Sequence, residues 1–306
     1  MTYTKQKMQE IADLVINAME KKGTDWIKPF SYQTKLSNGQ SNTPQNLRGT
    51  YYSGINSLIL GLKADAIGYK ANKWATFKQI NEAGGTVNKG EKGSSVCYYG
   101  QSTSKTTNEG GEEVTDTYRF LKFYSVFNID QTTLEDKPII VKPRPLVERI
   151  DHVEKFVANT KATIIHDEAG SCYYRPATDT INMSPLDTWK NIGSNTKEEL
   201  YYSTLLHELV HWTGDKKRCD RDKSNNVFGN EAYAFEELVA EFGSAMACGT
   251  LEITKEPSDQ HAKYLNSWMR KIKDEPKAIF KATALAQKSI DYLYSLQKEE
   301  PVKAVA

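Results

Sequence analysis

One five-residue segment, His207-Glu-Leu-Val-His211, constrains the fold and chemistry of this 306-residue chain more than any other feature. It lies in an apolar run that follows a capping box of Thr196 and Glu199, and Gly214 comes soon after it. The pattern predicts a helix that carries both imidazoles on one face, one turn apart. Two imidazoles at that spacing can bind one Zn²⁺ ion, at about 2.0–2.1 Å each.

The residue after the first histidine gives this segment its chemical interpretation. Glu208 lies next to the ligand face, so its carboxylate can reach a metal-bound water and act as a general base without binding the metal. The alternative is a pair of structural histidines in an ordinary helix, which the capped, amphipathic context disfavours. We therefore predict a zinc peptidase-type site of the HExxH, gluzincin-like kind, with His207 and His211 as ligands and Glu208 as the catalytic residue.

A catalytic zinc site uses three protein ligands and keeps one position open. A second predicted helix, over 231–248, carries three glutamates among apolar residues: Glu236, Glu237 and Glu241. Since Glu237 and Glu241 are four residues apart, they share a face of that helix. We predict Glu237 as the third ligand, and Glu241 as the group that orients a ligand histidine or as the alternate ligand. Glu236 is the least suited, and solvated surface charges are the alternative for all three.

Charge is distributed unevenly along the chain, although the net charge is only +1. Residues 1–145 carry a net charge of +5 and residues 146–306 a net charge of −4, while the stretch 21–92 alone reaches +7. A basic concentration of this size weakly indicates affinity for nucleic acid, and a solvated basic surface explains it equally well. The four scattered cysteines, the absence of a signal peptide pattern and the lack of a long apolar run predict a cytoplasmic protein without a membrane partner.

Apolar periodicity and turn residues predict an α+β chain of two domains, 1–135 and 146–306, joined by a proline-rich linker over 136–145. The second domain is expected to be mostly helical with a small sheet. Helices are predicted over 5–20, 74–83, 146–159, 197–213, 231–248, 258–273 and 276–297, and a short helix or a buried segment over 52–62. Strands are predicted over 94–99, 118–127, 162–166, 171–175 and 179–183, with a mobile hairpin loop over 101–116.

Several longer motifs add to the metal segment. The second half contains Asp179-Thr-Ile-Asn-Met-Ser-Pro185, Leu206-His-Glu-Leu-Val-His-Trp-Thr-Gly214 and Tyr233-Ala-Phe-Glu-Glu-Leu-Val-Ala-Glu241. The first half contains Trp26-Ile-Lys-Pro29, Arg48-Gly-Thr-Tyr-Tyr-Ser-Gly-Ile-Asn56, Trp74-Ala-Thr-Phe-Lys-Gln79, Val87-Asn-Lys-Gly-Glu-Lys-Gly93 and Val126-Phe-Asn-Ile-Asp-Gln131. In these motifs the chain resembles, over nearly its whole length, the ArdC-type antirestriction proteins of conjugative plasmids and integrative elements. The polar segment 101–116 matches no motif of that family.

The resemblance implies an N-terminal domain that binds single-stranded DNA and a C-terminal zincin-like metallopeptidase domain. Unpaired bases stack on aromatic rings, and phosphates need nearby cations. The first half interleaves both kinds of side chain, and we predict a DNA-binding patch from Trp26, Lys28, Arg48, Tyr51, Tyr52, Trp74, Lys89 and Lys92. For each aromatic residue taken alone, a place in the hydrophobic core is the more common alternative.

The function that follows is protection of incoming mobile DNA from host restriction, by a protein that binds single-stranded DNA and carries a zinc peptidase-type site. A host protein is then the expected substrate class. The main alternative is a single-stranded-DNA-binding protein whose metal domain is structural or catalytically idle. A third interpretation is a housekeeping peptidase whose basic domain recruits protein substrates. The presence of every peptidase-type group, Glu208 included, favours an active enzyme over an idle one.

Overall fold

The computed structural model describes residues 2–30, 43–107, 113–135, 145–167, 170–193, 195–221, 231–253 and 259–297. Helices in these ranges are α1 Tyr3–Lys22, α2 Gly54–Ile67, α3 Phe77–Glu82, α4 Leu146–Thr160, α5 Lys197–Thr213, α6 Glu231–Leu251, α7 Asp259–Asp274 and α8 Lys277–Ser295. Strands are β1 Gln45–Asn46, β2 Lys73–Ala75, β3 Ser94–Thr107, β4 Glu113–Asn128, β5 Thr163–His166, β6 Tyr173–Arg175 and β7 Thr180–Met183. The predicted α+β class is confirmed. No helix among the described residues is long and apolar enough to cross a membrane.

The first sheet has the strand order β1-β2-β4-β3, and its two long strands form an antiparallel hairpin. This hairpin is paired in continuous register from Ser94↔Val126 to Thr107↔Glu113. The predicted loop over 101–116 was therefore wrong, because most of that segment is strand, and only residues 108–112 lie outside the described part. Its threonines and serines lack the apolar alternation that identifies a half-buried strand. Threonine nevertheless suits a pleated ribbon, and the backbone pairing supplies the hydrogen bonds.

The second sheet has the order β5-β7-β6, with β7 parallel to β5 and antiparallel to β6. The predicted hairpin between the last two strands is confirmed. Its turn ends at Asp179, which has a positive φ of 53°. Aspartate tolerates this left-handed conformation better than most residues do. Since β6 has a hydrogen-bonded neighbour strand only on its β7 side among the described strands, its other edge faces α5.

Helix α5 has the bounds predicted from the sequence, Lys197–Thr213. The capping box is present, because Thr196 Oγ1 accepts from the Glu199 backbone N–H and Glu199 Oε2 accepts from the Thr196 N–H, both at 3.2 Å. The helix predicted over 74–83 was partly wrong. Trp74 pairs with Asn128 in the sheet, and a second capping box at Thr76 starts the shorter α3. The predicted linker over 136–145 lies outside the described residues except for its last position, so the domain boundary stays a prediction.

Helices from the two halves of the chain share one hydrophobic core. The α1 helix packs against α7, α2 against α8, and the 3-10 turn Gly23–Phe30 against α6. Trp26 from this turn is 1% exposed, and its ring meets that of Phe242 edge-on at 5.4 Å. Because this contact crosses between the halves, tests of DNA binding belong in the whole chain rather than in an isolated N-terminal fragment.

Trp26→Ala is expected to lower the free energy of unfolding of the whole chain by about 3–5 kcal/mol, because it removes a large buried side chain and leaves a cavity beside Phe242. Tyr51→Ala is the matched control, since that ring is 58% exposed and its loss should cost less than about 0.5 kcal/mol. Urea denaturation of the two variants measures the difference. Equal midpoints would contradict the core position of Trp26.

Candidate metal centre

Two helices bring the predicted ligands together. Helix α5 packs against α6 closely, because Gly243 leaves room where a Cβ atom would lie 2.7 Å from Val210. The Nε2 atoms of His207 and His211 are 3.2 Å apart. Glu237 of α6 points at both, with Oε2 at 3.3 Å from His207 Nε2 and Oε1 at 3.4 Å from His211 Nε2. These three residues form a group of potential metal ligands whose donor atoms all lie within 4.8 Å of one another.

The separations between these donor atoms fit a bound divalent cation. A tetrahedral site with bonds of about 2.0–2.2 Å places its ligand atoms about 3.3–3.6 Å apart. The two Nε2 atoms are 3.2 Å apart, and Glu237 faces each of them with a different carboxylate oxygen, at 3.3 and 3.4 Å, which is close to that edge length. Two imidazoles and one carboxylate also leave one tetrahedral position open for water or substrate, as in catalytic zinc sites.

The other ring nitrogen of each histidine faces a carboxylate on α6. His207 Nδ1 lies 3.6 Å from Glu241 Oε2, and His211 Nδ1 lies 3.2 Å from Glu236 Oε1. A carboxylate that accepts the Nδ1 proton leaves the Nε2 lone pair for a metal and holds the ring in place. Glu241 thus lies beside Nδ1 of His207, and Glu236, the glutamate judged least suited as a ligand, lies in the equivalent position beside Nδ1 of His211. The roles of Glu237 as ligand and Glu241 as orienting group or alternate ligand stay predictions.

Arg221 is a residue of this centre that sequence reasoning missed. Its buried guanidinium donates to both carboxylate oxygens of Glu236, at 2.7 and 3.1 Å. It also donates to the Val210 carbonyl at 2.6 Å, to Thr213 Oγ1 at 2.8 Å and to Ser289 Oγ at 2.6 Å. These bonds connect α5, α6 and α8 behind His211. Arg221 lies eight residues after Thr213, the last residue of α5. A contact over that distance in an irregular segment leaves no periodic pattern in the sequence.

The buried carboxylates change the protonation of the histidines. Burial by itself would lower the pKa of His211, but Glu237 and Glu236 outweigh it and raise that pKa to about 10. The pKa of His207 is also raised, by Glu237 and Glu241 against the effect of burial. The pKa of Glu237 is lowered, because the two imidazoles outweigh its desolvation. The carboxylates around the two imidazoles therefore favour a cation in the pocket, either protons or a metal ion.

The side chain of Glu208 is held at the edge of the second sheet. Its Oε2 accepts a hydrogen bond of 2.8 Å from the backbone N–H of Tyr174 in β6, and the residue is buried. The β6–β7 turn is fixed in turn by Arg218, which donates to Asp179 Oδ2 at 3.0 Å and to the Tyr174 hydroxyl at 3.2 Å. The Arg218 guanidinium also lies 4.0 Å above the ring of Trp212 at the end of α5. This arrangement keeps the predicted base next to the predicted ligands.

Tyr233 is a second residue near the centre that the sequence did not single out for chemistry. It lies one turn before Glu237 on α6, and burial, followed by the negative charge of Glu237, raises its pKa. A phenol with a raised pKa stays protonated and can donate a hydrogen bond. Its ring lies 5.8 Å from that of Tyr264 on α7.

The residues predicted to bind DNA are in different environments. Trp26 and Trp74 are 1% and 0% exposed, so neither ring is available for stacking on a base in this structure. Tyr52 is half-buried against the small core cluster that contains Trp74. The exposed members of the set are Arg48, Tyr51, Lys89 and Lys92, and the side chain of Lys28 lies outside the described part of the chain.

The fold and this site define a protein with a zincin-like metallopeptidase domain. Residues 151–285 match the family model of a zincin-like metallopeptidase, and residues 5–127 match that of the N-terminal domain of the anti-restriction factor ArdC. The crystal structure of the antirestriction protein ArdC from plasmid R388 in its metal-free form is 35% identical and superposes with a TM-score of 0.75, covering 94% of this chain and 97% of that one. This chain therefore belongs to the ArdC-type antirestriction protein family.

Further relatives extend the comparison. The Mn(II)-bound structure of the R388 protein gives a TM-score of 0.73 at the same identity and coverage. The uncharacterized protein y4eC of Sinorhizobium fredii is 32% identical over 304 residues, which are 95% of this chain and 92% of y4eC. The DNA primase TraC of Escherichia coli is 32% identical over 307 residues, and the matched region spans only 27% of its length. The chain thus corresponds to one segment of TraC and to nearly all of y4eC.

Proposed function

We propose that this protein is an antirestriction factor that binds single-stranded DNA and that its second half is a Zn²⁺-dependent peptidase. The observation that carries the peptidase part is the convergence of His207, His211 and Glu237, with the buried Glu208 next to His207 on α5. The two imidazole donors support Zn²⁺ over Mn²⁺, because imidazole suits zinc and because manganese binds most weakly in the order of first-row divalent metals. We place its action in the cytoplasm, and the four cysteines, none of which is in a disulfide among the described residues, are consistent with that compartment.

Peptide hydrolysis needs an activated water and a group that moves its proton. A zinc ion held by His207, His211 and Glu237 would supply Lewis acidity and would lower the pKa of a water molecule there to about 7. Glu208 then accepts the proton as the C–O bond forms at the scissile carbonyl carbon. It returns that proton to the amine nitrogen as the C–N bond breaks, so that a carboxylic acid and an amine result. Tyr174 keeps the Glu208 carboxylate in place through its backbone N–H.

Binding of single-stranded DNA is supported by the match of the first half to the ArdC N-terminal domain and by the net charge of +5 over residues 1–145. Phosphate contacts would come from exposed cations such as Arg48, Lys89 and Lys92. Because each neutralised phosphate releases counterions, the affinity should fall as salt rises. A protein bound along the transferred single strand shields that strand from restriction enzymes. Protection is therefore expected even when no protein substrate is cleaved.

Glu208→Gln is the variant that separates the two activities. It removes the base and keeps the side-chain size, so hydrolysis of an unstructured protein such as casein should fall by about a hundredfold to ten-thousandfold. Bound zinc and affinity for single-stranded DNA should stay as in the wild type. We expect plasmid transfer into a restricting host to remain protected.

Glu198→Gln, in the first turn of the same helix, is the control and should change none of these measurements. A Glu208→Gln protein that retains metal and DNA affinity but no longer protects would show that proteolysis, and not occupancy, gives the protection. A wild-type protein that holds zinc but hydrolyses no peptide would contradict the enzymatic half of the proposal and leave an ssDNA-binding protein with an idle metal domain.

A further inference from the structure

The β3–β4 hairpin presents a row of aromatic side chains on one face. Residues directly opposite in an antiparallel pair share a face, and here the pairs are Val96↔Tyr124, Tyr98↔Lys122, Gly100↔Phe120 and Ser102↔Tyr118. Tyr98, Tyr118 and Tyr124 are 55%, 54% and 48% exposed. Large exposed aromatic side chains that lie side by side on a monomer commonly mark a binding surface.

Gly100 explains how the rings form a row. A Cβ atom at this position would lie 2.2 Å from Cζ of Phe120, so the Phe120 ring lies across the backbone of the neighbouring strand. Tyr98 and Tyr118 then flank that ring, each with its centroid 6.3 Å from the centroid of Phe120. The three rings form a row along the hairpin, called the platform below, in which neighbouring ring planes are tilted by 50° and 47°.

One cation lies on the same face as the rings. The exposed Lys122 has its ammonium 4.7 Å from the centre of the Phe120 ring. Lys89 and Lys92 are exposed in the turn that leads into β3, but the exposed Glu91 lies between them, and Gly93 of this turn contacts Ser125 on the opposite face. A phosphate of a strand that stacks on the rings is therefore expected near Lys122.

Part of the opposite face of the hairpin packs against the body of the protein. Cys97 is buried in the main core, Leu121 and Phe123 pack against that core, and Asn56 of α2 exchanges two hydrogen bonds with the Cys97 backbone, at 2.7 and 2.8 Å. These contacts fix the hairpin to α2. On the face of the rings, Val96 is buried in the small core cluster, so the exposed part of that face begins at Tyr98 and Tyr124.

We propose that single-stranded DNA binds along this face, with bases stacked on Tyr98, Phe120 and Tyr118 and a phosphate near Lys122. The inference rests on the proposed function and names the surface responsible for it. Flat rings with interspersed cations match a chain of unpaired bases and phosphates, whereas the bases of a duplex are already stacked on one another and cannot reach such a platform. This surface differs from the patch predicted from the sequence and contains none of the residues of that patch.

Fluorescence anisotropy with the full-length protein tests the proposal, with a labelled oligothymidine and a duplex of equal length as probes. Tyr98→Leu, Phe120→Leu and Tyr118→Leu should each weaken binding of the single strand about fivefold to a hundredfold, as expected for the loss of one stacked base. Lys122→Gln should reduce the slope of log affinity against log salt by about 0.7, as for one phosphate contact. Tyr294→Leu, an exposed tyrosine of α8 in the other half, is the control and should bind as the wild type does.

The tyrosine variants are expected to stay folded, because Tyr98 and Tyr118 are about half exposed. Melting curves of all three ring variants check that they are folded. If the wild type binds oligothymidine and all three ring variants bind it equally well, the hairpin surface is refuted while the proposed function stands. If the wild type shows no preference for the single strand, the proposed function itself fails. If sedimentation shows that the ring variants lose self-association but not DNA affinity, the face is an interface between copies, and the proposal is overturned.

Discussion

A protein in which His207 and His211 are both replaced by glutamine is expected to retain no stoichiometric divalent metal. The two imidazoles supply two of the three donors, and Glu237 alone cannot complete a tetrahedral site. Elemental analysis after dialysis should show about one zinc per chain in the wild type and none in the double variant. Glutamine preserves a polar side chain that can still donate to Glu236 and Glu241, which limits the cost to folding.

The same experiment has a thermodynamic readout. A metal that binds the folded chain at a thousandfold excess over its Kd stabilises it by about 4 kcal/mol. Added Zn²⁺ should therefore raise the melting temperature of the wild type and leave that of the double variant unchanged. His152→Gln, an exposed histidine of α4, is the control and should behave as the wild type. Stoichiometric metal in the double variant would refute the assigned centre.

Arg221→Gln is expected to destabilise the protein by about 3–5 kcal/mol, because it leaves the Glu236 carboxylate buried without its guanidinium partner. The bonds from Arg221 to α5 and α8 are lost with it. Since Glu236 orients His211, zinc affinity should also fall, by about tenfold to a hundredfold. Urea denaturation measures the first effect, and competition with a chelator of known affinity measures the second.

Arg270→Gln provides the matched control for Arg221. Its ion pair with Glu231, at 3.8 Å, is on the surface, with the two side chains 63% and 70% exposed. Screening by solvent limits such a pair to less than about 1 kcal/mol. A wild-type zinc affinity in Arg221→Gln, together with the loss of stability, would restrict Arg221 to a structural role. Equal stability of the two variants would contradict the buried network altogether.

The three glutamates of α6 have separate contacts around one centre. Glu237 faces the Nε2 atoms of both histidines, Glu236 faces His211 Nδ1, and Glu241 faces His207 Nδ1. Each imidazole therefore lies between two carboxylates. Glu237 faces the Nε2 atom of both rings, whereas Glu236 and Glu241 each face the Nδ1 atom of one ring. The cost of keeping three carboxylates in a buried site is offset by Arg221 and by whichever cation occupies the pocket.

The sequence by itself determined the local elements of this site. Thr196, Glu199 and Gly214 define α5, because capping and helix termination depend on residues within a few positions of each other. The His-Glu-x-x-His spacing places both imidazoles on one face by helical geometry alone. The bounds of α5, and the second helix with its acidic residues, follow from the same short-range physics.

Only the tertiary structure decided which side chains meet across the chain. Arg221 reaches Glu236, and Trp26 is buried against Phe242, through contacts between elements that no periodic pattern encodes. The aromatic face of the β3–β4 hairpin was hidden for a related reason. Its strands are polar on long stretches, so their pairing depends on backbone hydrogen bonds and register, and the side-chain alternation that identifies a strand in sequence is missing there.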